Sequence, residues 1–260
     1  MMKLAIRAAL TAAIAIASIT AVAAQAATTP AAQAKPAQPK SGEKTVEEAY
    51  LQESAEAQMV HDLARGDDLE GKQLALDLAT RASDAGRNNE EIRSSLQYLV
   101  LEDNDLVARS AGLGVATNNF PNIRRQACIL LGSFPSVETK DALVEVLHNS
   151  RTEDPMVLAE AIRSLGKIGF NDNDEVVHAI ADSVSHFDNV GMSEDRLAVY
   201  TIFAFSDLAK KSPGISDWGL VSNTLLKFTK GSYIRKVQDL AKATMMELST
   251  YEAKSNSGNK

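Results

Sequence analysis

From Thr45 onward, apolar residues recur every three or four positions, and β-branched residues follow that period instead of alternating. The spacing predicts amphipathic helices and no strand. The clearest helix, Pro121–Gly132, returns as Pro155–Gly166, 34 positions later. Counted from the proline, both copies carry a β-branched residue at +2, Ala at +6, Leu at +10 and Gly at +11. Proline is at home in a first helical turn, where the N–H groups have no internal partner. At about 100° per residue, offsets +2, +6, +9, +10 and +13 share one side of the helix. They hold Ile123, Ala127, Leu130, Leu131 and Phe134 in the first copy and Val157, Ala161, Ser164, Leu165 and Ile168 in the second. Ala at +6 lets a neighbouring helix come close, and Gly at +11 either does the same or loosens the last turn. A helix with one apolar face must stack on others.

Weaker copies start at Asp105 (Val107, Ala111), Asp195 (Leu197, Thr201, Phe205) and Arg235 (Val237, Ala241, Met245). Other amphipathic helices lie between them, over Ser136–Asn149, Asp174–Phe187 and Ile215–Thr229. From Pro121 the starts follow at 34, 40 and 40 residues, and two helices per unit at such a period predict a helical solenoid. Ahead of the repeats, the capping box Thr45-Val-Glu-Glu48 opens a helix with Val46, Ala49, Tyr50, Ala57, Val60 and Ala64 on one side. A second helix is expected over residues 69–85. A third is capped by Asn88-Asn-Glu-Glu91 and turns Ile92, Leu96, Leu99 and Val100 inward. The expected organisation is an N-terminal helical cap over 45–102, repeats over 103–251 and a disordered polar tail over 252–260.

The pattern [D/P]-x-[V/I]-R-x-x-A-x-x-x-L-G resembles the second helix of HEAT repeats, including the short HEAT-like repeats of the phycobilin-lyase group. The match is close at 121–132; at 155–166, Leu158 stands where the family usually has Arg. The resemblance spans roughly residues 100–250. It implies an all-α fold, a right-handed α-solenoid (superhelix) of HEAT-like helix pairs.

The first residues read as an address. Lys3 and Arg7 precede the uncharged run Ala8–Ala24, and Ala24-Gln25-Ala26 fits small-x-small cleavage, so 1–26 is expected to be a signal peptide cut after Ala26. The destination expected is a bacterial periplasm or the exterior; the competing reading is an uncleaved anchor, for which the run is marginal. Residues 27–44 are rich in Ala, Pro, Gln and Lys and are expected to form a disordered linker. Cleavage would leave 25 basic and 34 acidic residues, a net charge of −9 against −7 for the whole chain. Such a chain is a poor general binder of nucleic acid or of anionic lipid.

Candidate chemistry is sparse. Cys128 is the single cysteine, so the fold owes nothing to disulfides; with no base in a local motif, it reads as a small buried hydrophobe. His178, Asp182 and His186 form an i, i+4, i+8 ladder able in principle to hold a metal, but Val177, Ile180, Val184 and Phe187 define the opposite, buried face, leaving the ladder in solvent. Asn171-Asp-Asn-Asp-Glu175 lacks the Gly and Glu that a calcium loop needs and reads as a polar turn before a helix. Gly112-Leu-Gly114 has no third Gly and no preceding strand, so it is no nucleotide loop. No catalytic residue, metal site or cofactor is therefore expected.

The function expected is a non-enzymatic scaffold that binds a protein or peptide on the solenoid surface. A chromophore or cofactor lyase or chaperone of the HEAT-like lyase type is one alternative; a membrane-anchored structural envelope protein is the other. The resemblance implies that the second helices line the binding face. Offsets +1, +4, +8 and +12 point away from the core and collect Arg125, Arg163, Lys167, Arg196, Phe203 and Lys236, a stripe suited to an acidic partner segment. Asp207, Asp239 and Glu247 share those offsets.

Overall fold

The computed structural model describes residues 46–87, 89–102, 107–108, 115–116, 120–187, 192–211 and 214–258. They all belong to the second of two compact units, Lys44–Lys260. The signal and linker readings, Thr45 and the Gly112–Gly114 reading lie outside the described residues. In order, the helices are α1 (Val46–Arg65), α2 (Leu69–Asp84), α3 (Glu90–Leu101), α4 (Pro121–Leu131), α5 (Val137–His148), α6 (Pro155–Ile168), α7 (Glu175–Ser185), α8 (Met192–Lys210), α9 (Trp218–Phe228) and α10 (Arg235–Gly258). A 3-10 turn, Asp172–Asp174, precedes α7. Odd-numbered helices pack on one another in sequence and form a first layer; even-numbered helices do the same in a second. The described residues form an all-α solenoid of five helix pairs, and the most extensive joint is that between α6 and α8.

The local code explains where helices start. Asp68, Ser136, Asp154 and Asp217 accept hydrogen bonds from the backbone N–H of Gly71 (2.9 Å), Thr139 (3.1 Å), Met156 (2.7 Å) and Leu220 (2.9 Å), capping α2, α5, α6 and α9. Pro121 and Pro155 sit in the first turns of α4 and α6. Gly169, at φ +78°, closes α6 in the left-handed conformation that costs glycine least.

Packing follows the template. At +2, Ile123, Val157, Leu197 and Val237 are buried; at +6, so are Ala127, Ala161, Thr201 and Ala241. Gly at +11 serves close approach. A Cβ on Gly132 would lie 2.8 Å from Ser164 Oγ, and one on Gly166 would lie 2.6 Å from Ala204 Cα. The second-layer series also begins earlier than the sequence pattern suggests. With Leu69 as the start, α2 puts Ala75 at +6 and Ala79 at +10, both fully buried.

Three expectations are corrected. The unit expected at Asp105 is not helical at its described residues: Val107–Ala108 and Val115–Ala116 pair as a two-residue antiparallel ladder, Val107 opposite Ala116 and Ala108 opposite Val115. Among the described residues that ladder is the one exception to an otherwise strand-free reading, and it falls between α3 and α4. The template matched there only at +2 and +6, too little to specify a helix. Next, α3 packs on α4 and α5 as well as α1, which makes it the first-layer helix of the second pair. Last, α10 continues to Gly258, past the end expected near Tyr251, because no Gly or Pro interrupts Glu252–Ser257.

Candidate protein-binding surface

The second-layer helices are laced to one another along one edge. Gln73 Nε2 of α2 donates to Gln126 Oε1 of α4 (3.3 Å). Arg125 of α4 lies 4.0 Å from Glu160 of α6, Arg163 of α6 pairs with Asp207 of α8, and Lys210 of α8 pairs with Glu247 of α10 at 3.0 Å. In the three ion pairs the cation belongs to the earlier helix and the carboxylate to the later one. The first layer repeats this polarity in Arg93–Glu138 (3.8 Å) and Lys140–Glu175, and His178 lies 3.5 Å from Asp217 at the following joint. Pairs this exposed add little stability singly, but they set a register from pair to pair.

This lacing changes the expected stripe. Arg125 and Arg163 are half-buried and each is committed to a carboxylate, so neither offers a free positive charge. Arg163 also lies over the Phe203 ring, 5.4 Å from its centroid, and Phe203 is 38% exposed. Arg196 is exposed and stacks over Tyr200 at 5.7 Å, with Met156 Sδ 4.0 Å away. The structure thus brings Arg163 and Phe203 together across α6 and α8, and Arg196 meets Met156 across the same two helices, seven residues before Phe203. Lys167 is exposed at the end of α6, and its carbonyl accepts from Lys211 Nζ. Lys236 is exposed at the start of α10. Among the described residues, Lys167, Arg196 and Lys236 have no carboxylate within ion-pair distance. Sequence reasoning missed Tyr200 and Met156. Tyr200 sits at +5, outside the offsets taken as outward, although its position four residues after Arg196 signalled a stack on one helix face.

Other cations are used up in holding helix ends. Lys72 Nζ reaches the Ala64 carbonyl at the end of α1 (3.1 Å) and Glu102 (2.7 Å). Arg124 Nε donates to the Val100 carbonyl of α3 (3.3 Å), and its guanidinium pairs with Glu153. Burial pushes the Glu153 carboxyl above its usual range, against the pull of Arg124. Lys211 serves the Gly166 carbonyl (3.3 Å) at the end of α6, and Lys227 serves Val184 (3.0 Å) and Ser185 (2.8 Å) at the end of α7. Positive charge at a helix C-terminus complements its dipole.

The residues weighed for chemistry sit as follows. Cys128 is fully buried, and burial pushes its thiol well above the ordinary range. His178, Asp182 and His186 are exposed, and no group of three His, Cys, Asp or Glu side chains suited to a metal occurs among the described residues. The Asn171–Glu175 turn is a joint between pairs. Asp174, buried at φ +59°, accepts from the backbone N–H of Ser216 (3.0 Å) and Asp217 (2.8 Å), while Asn171 Nδ2 donates to Asp174 (3.0 Å) and to the Gly214 carbonyl (2.8 Å). The carboxylate thereby satisfies the free N–H groups ahead of α9. No helix among the described residues is long and apolar enough to cross a membrane.

Residues 110–189, which include α4 to α7, match a protein family described as HEAT repeats. That match, together with the helical stacking, supports a HEAT-repeat helical protein over this stretch, and HEAT repeats are commonly protein-interaction scaffolds, typically without catalysis. Comparison with curated proteins found no match, and comparison with solved structures found none.

Proposed function

Taking a HEAT-repeat solenoid as the premise, we propose that this chain is a non-enzymatic scaffold of a bacterial envelope, exported by a signal cut after Ala26 and working in the periplasm or outside the cell. Its second-layer face holds a protein or peptide. The observation that carries this reading is two cation–aromatic stacks along α6 and α8: Arg163 of α6 over Phe203 of α8, and Arg196 over Tyr200 within α8, with Met156 of α6 beside Arg196. Aromatic and Arg side chains held at low entropic cost are common interface anchors. The available cations, Lys167, Arg196 and Lys236, favour a partner segment that mixes carboxylates with apolar residues.

The lacing decides how to test it. Reversing Arg125 or Arg163 would break joints between pairs, so loss of binding would be ambiguous. The informative variant is Arg196→Glu/Phe203→Ala, both at exposed positions, first shown to melt as wild type does. It is expected to lose the proteins that wild type captures from envelope extract, and wild-type capture is expected to weaken with salt. Capture of the same set by the folded variant would dismiss this face. The mass of the chain isolated from its host tests the export reading: residues 27–260 are expected, and a full-length chain in washed membranes would reject it.

A further inference from the structure

The second-layer joints share a register that is left open at both ends of the described series. Internally, offsets +4, +7 and +11 of one helix meet +5 and +9 of the next. Arg125 meets Glu160, Ser164 Oγ donates to the Cys128 carbonyl (2.7 Å), and Gly132 and Gly166 press on Ser164 and Ala204. The +7 residues Leu76, Cys128, Ile162 and Ile202 are accordingly buried. In α10, the last of the series, +7 is the exposed Lys242 and +11 is Met246, 71% exposed. In α2, the first described, +5 is Leu74, 44% exposed, and +9 is the half-buried Leu78.

The two ends also differ in charge. Residues 46–87 carry ten carboxylates against four cations; residues 218–258 carry six cations against three carboxylates. Both terminal pairs carry large exposed apolar side chains, Leu51, Met59, Leu69 and Leu74 at the head and Leu226 and Met246 at the tail, although Tyr98, Leu101, Val137, Phe170 and Phe203 are exposed between them. A cap that existed only to stay soluble would present a polar outer face; here each end offers apolar side chains within a field opposite in sign to that of the other end.

We propose that copies of this chain associate head to tail, α10 of one seating on α2 of the next, with Met246 against Leu74 and Leu78 and with Lys242 entering the acidic head. The contact reuses the internal register, +7 and +11 on +5 and +9. It is heterologous, so it continues from copy to copy and does not close as a two-fold dimer. Opposite net charge steers the ends together and makes the association sensitive to salt.

Sedimentation velocity of the full chain across a wide concentration range tests this. Mass is expected to climb with concentration through dimer and beyond, and to fall back in about 1 M salt, where screening acts within ~3 Å. Leu74→Asp and Met246→Asp alter exposed positions and are expected to keep the wild-type melting curve while each leaves a monomer. Mixed in equal amounts, the two variants are expected to form dimers and nothing larger, because each retains one sound end. Monomer at every wild-type concentration would overturn the proposal, as would dimers surviving in one variant alone, which mean a head-to-head or tail-to-tail contact. Failure of the mixture to dimerise would overturn it too.

Discussion

In the first two helix pairs, offset +3 of the second-layer helix is a cation; in the next two it is Leu158 and Ala198. All four positions are buried, Lys72 completely. Lys72 and Arg124 do the same job one pair apart. Each donates to a carbonyl at the end of its own first-layer helix, Ala64 or Val100, and each pairs with a glutamate just past the next one, Glu102 or Glu153. The central pair needs no such group. The end of α5 is closed by its own turn, where Ser150 N–H bonds the Leu147 carbonyl (3.1 Å) and Thr152 N–H the Asn149 carbonyl (3.0 Å). With those acceptors satisfied, offset +3 is free to be apolar, and α6 can close on α8 through Gly166 and Ala204. One fold therefore uses two kinds of joint: a charged strut where carbonyls stand open, and a close backbone contact where they do not.

Breaking the strut carries the largest expected effect that still leaves a folded protein to measure. Arg124→Leu leaves Glu153 buried without its partner and the Val100 carbonyl without a donor. Loss of one member of a buried pair costs about 3–5 kcal/mol. Arg124→Leu/Glu153→Leu removes the orphaned charge and is expected to recover much of that loss. Urea titration of the two variants beside wild type measures both. If the double variant is no more stable than the single, Arg124 acts by filling space, as Leu158 does, and the contrast between the joints fails.

The close contact is next. Gly166→Ala drives a Cβ onto Ala204 Cα, which is backbone and cannot step aside. Gly132→Ala meets the tip of Ser164, a side chain able to rotate at the expense of its bond to the Cys128 carbonyl. Overpacking costs roughly 1–3 kcal/mol, and Gly166→Ala is expected near the top of that range with Gly132→Ala clearly below it. Ala161→Trp, at a fully buried +6 position, goes beyond both and is expected to prevent folding. Equal melting temperatures for the two glycine variants would mean that the central joint is no tighter than its neighbour.

These contrasts also mark what the chain discloses before it folds. Offsets +2, +6 and +10 were legible because the apolar side of a helix is written within that helix. The struts were not. Lys72 in an amphipathic helix reads as a solvated lysine, and only the carbonyls of α1 and the Glu102 carboxylate, 30 residues away, explain its burial. The stripe through Arg125 and Arg163 was visible, but its neutralisation was hidden. Asp207 stands 44 residues from Arg163, and the two meet only because α8 stacks on α6. Cap residues such as Asp154 and Ser136, acting over two or three positions, were within reach of sequence alone.

Surface lacing should matter less than either kind of joint. Arg163→Ala removes a pair whose side chains are about a third exposed, and such pairs are worth under about 1 kcal/mol. Phe203 would lose its cover in the same variant, so the partner-binding face changes while the fold persists. Thermal melting is expected to shift by no more than a few degrees, and by less in high salt, where the wild-type pair is itself screened. A loss as large as that of Arg124→Leu would place Arg163 among the struts.

The smallest effect expected is a change with pH at Lys140, which joins α5 to α7. Burial opposes its charge, but Asp141 and Glu175 outweigh that and hold the ammonium above the ordinary lysine value of 10.5. A group whose folded pKa is raised contributes stability that is fully present below the unfolded value and disappears as pH climbs through the folded one. The contribution of Lys140 is therefore constant at neutral pH and fades only in alkali, above that ordinary lysine value. Other lysines and tyrosines titrate in that window, so the useful quantity is the gap in melting temperature between wild type and Lys140→Met. That gap is expected to stay level from neutral pH into mild alkali and to narrow beyond it. A gap that narrows on the acid side instead would assign the stability to the Glu175 carboxylate and to a partner other than Lys140.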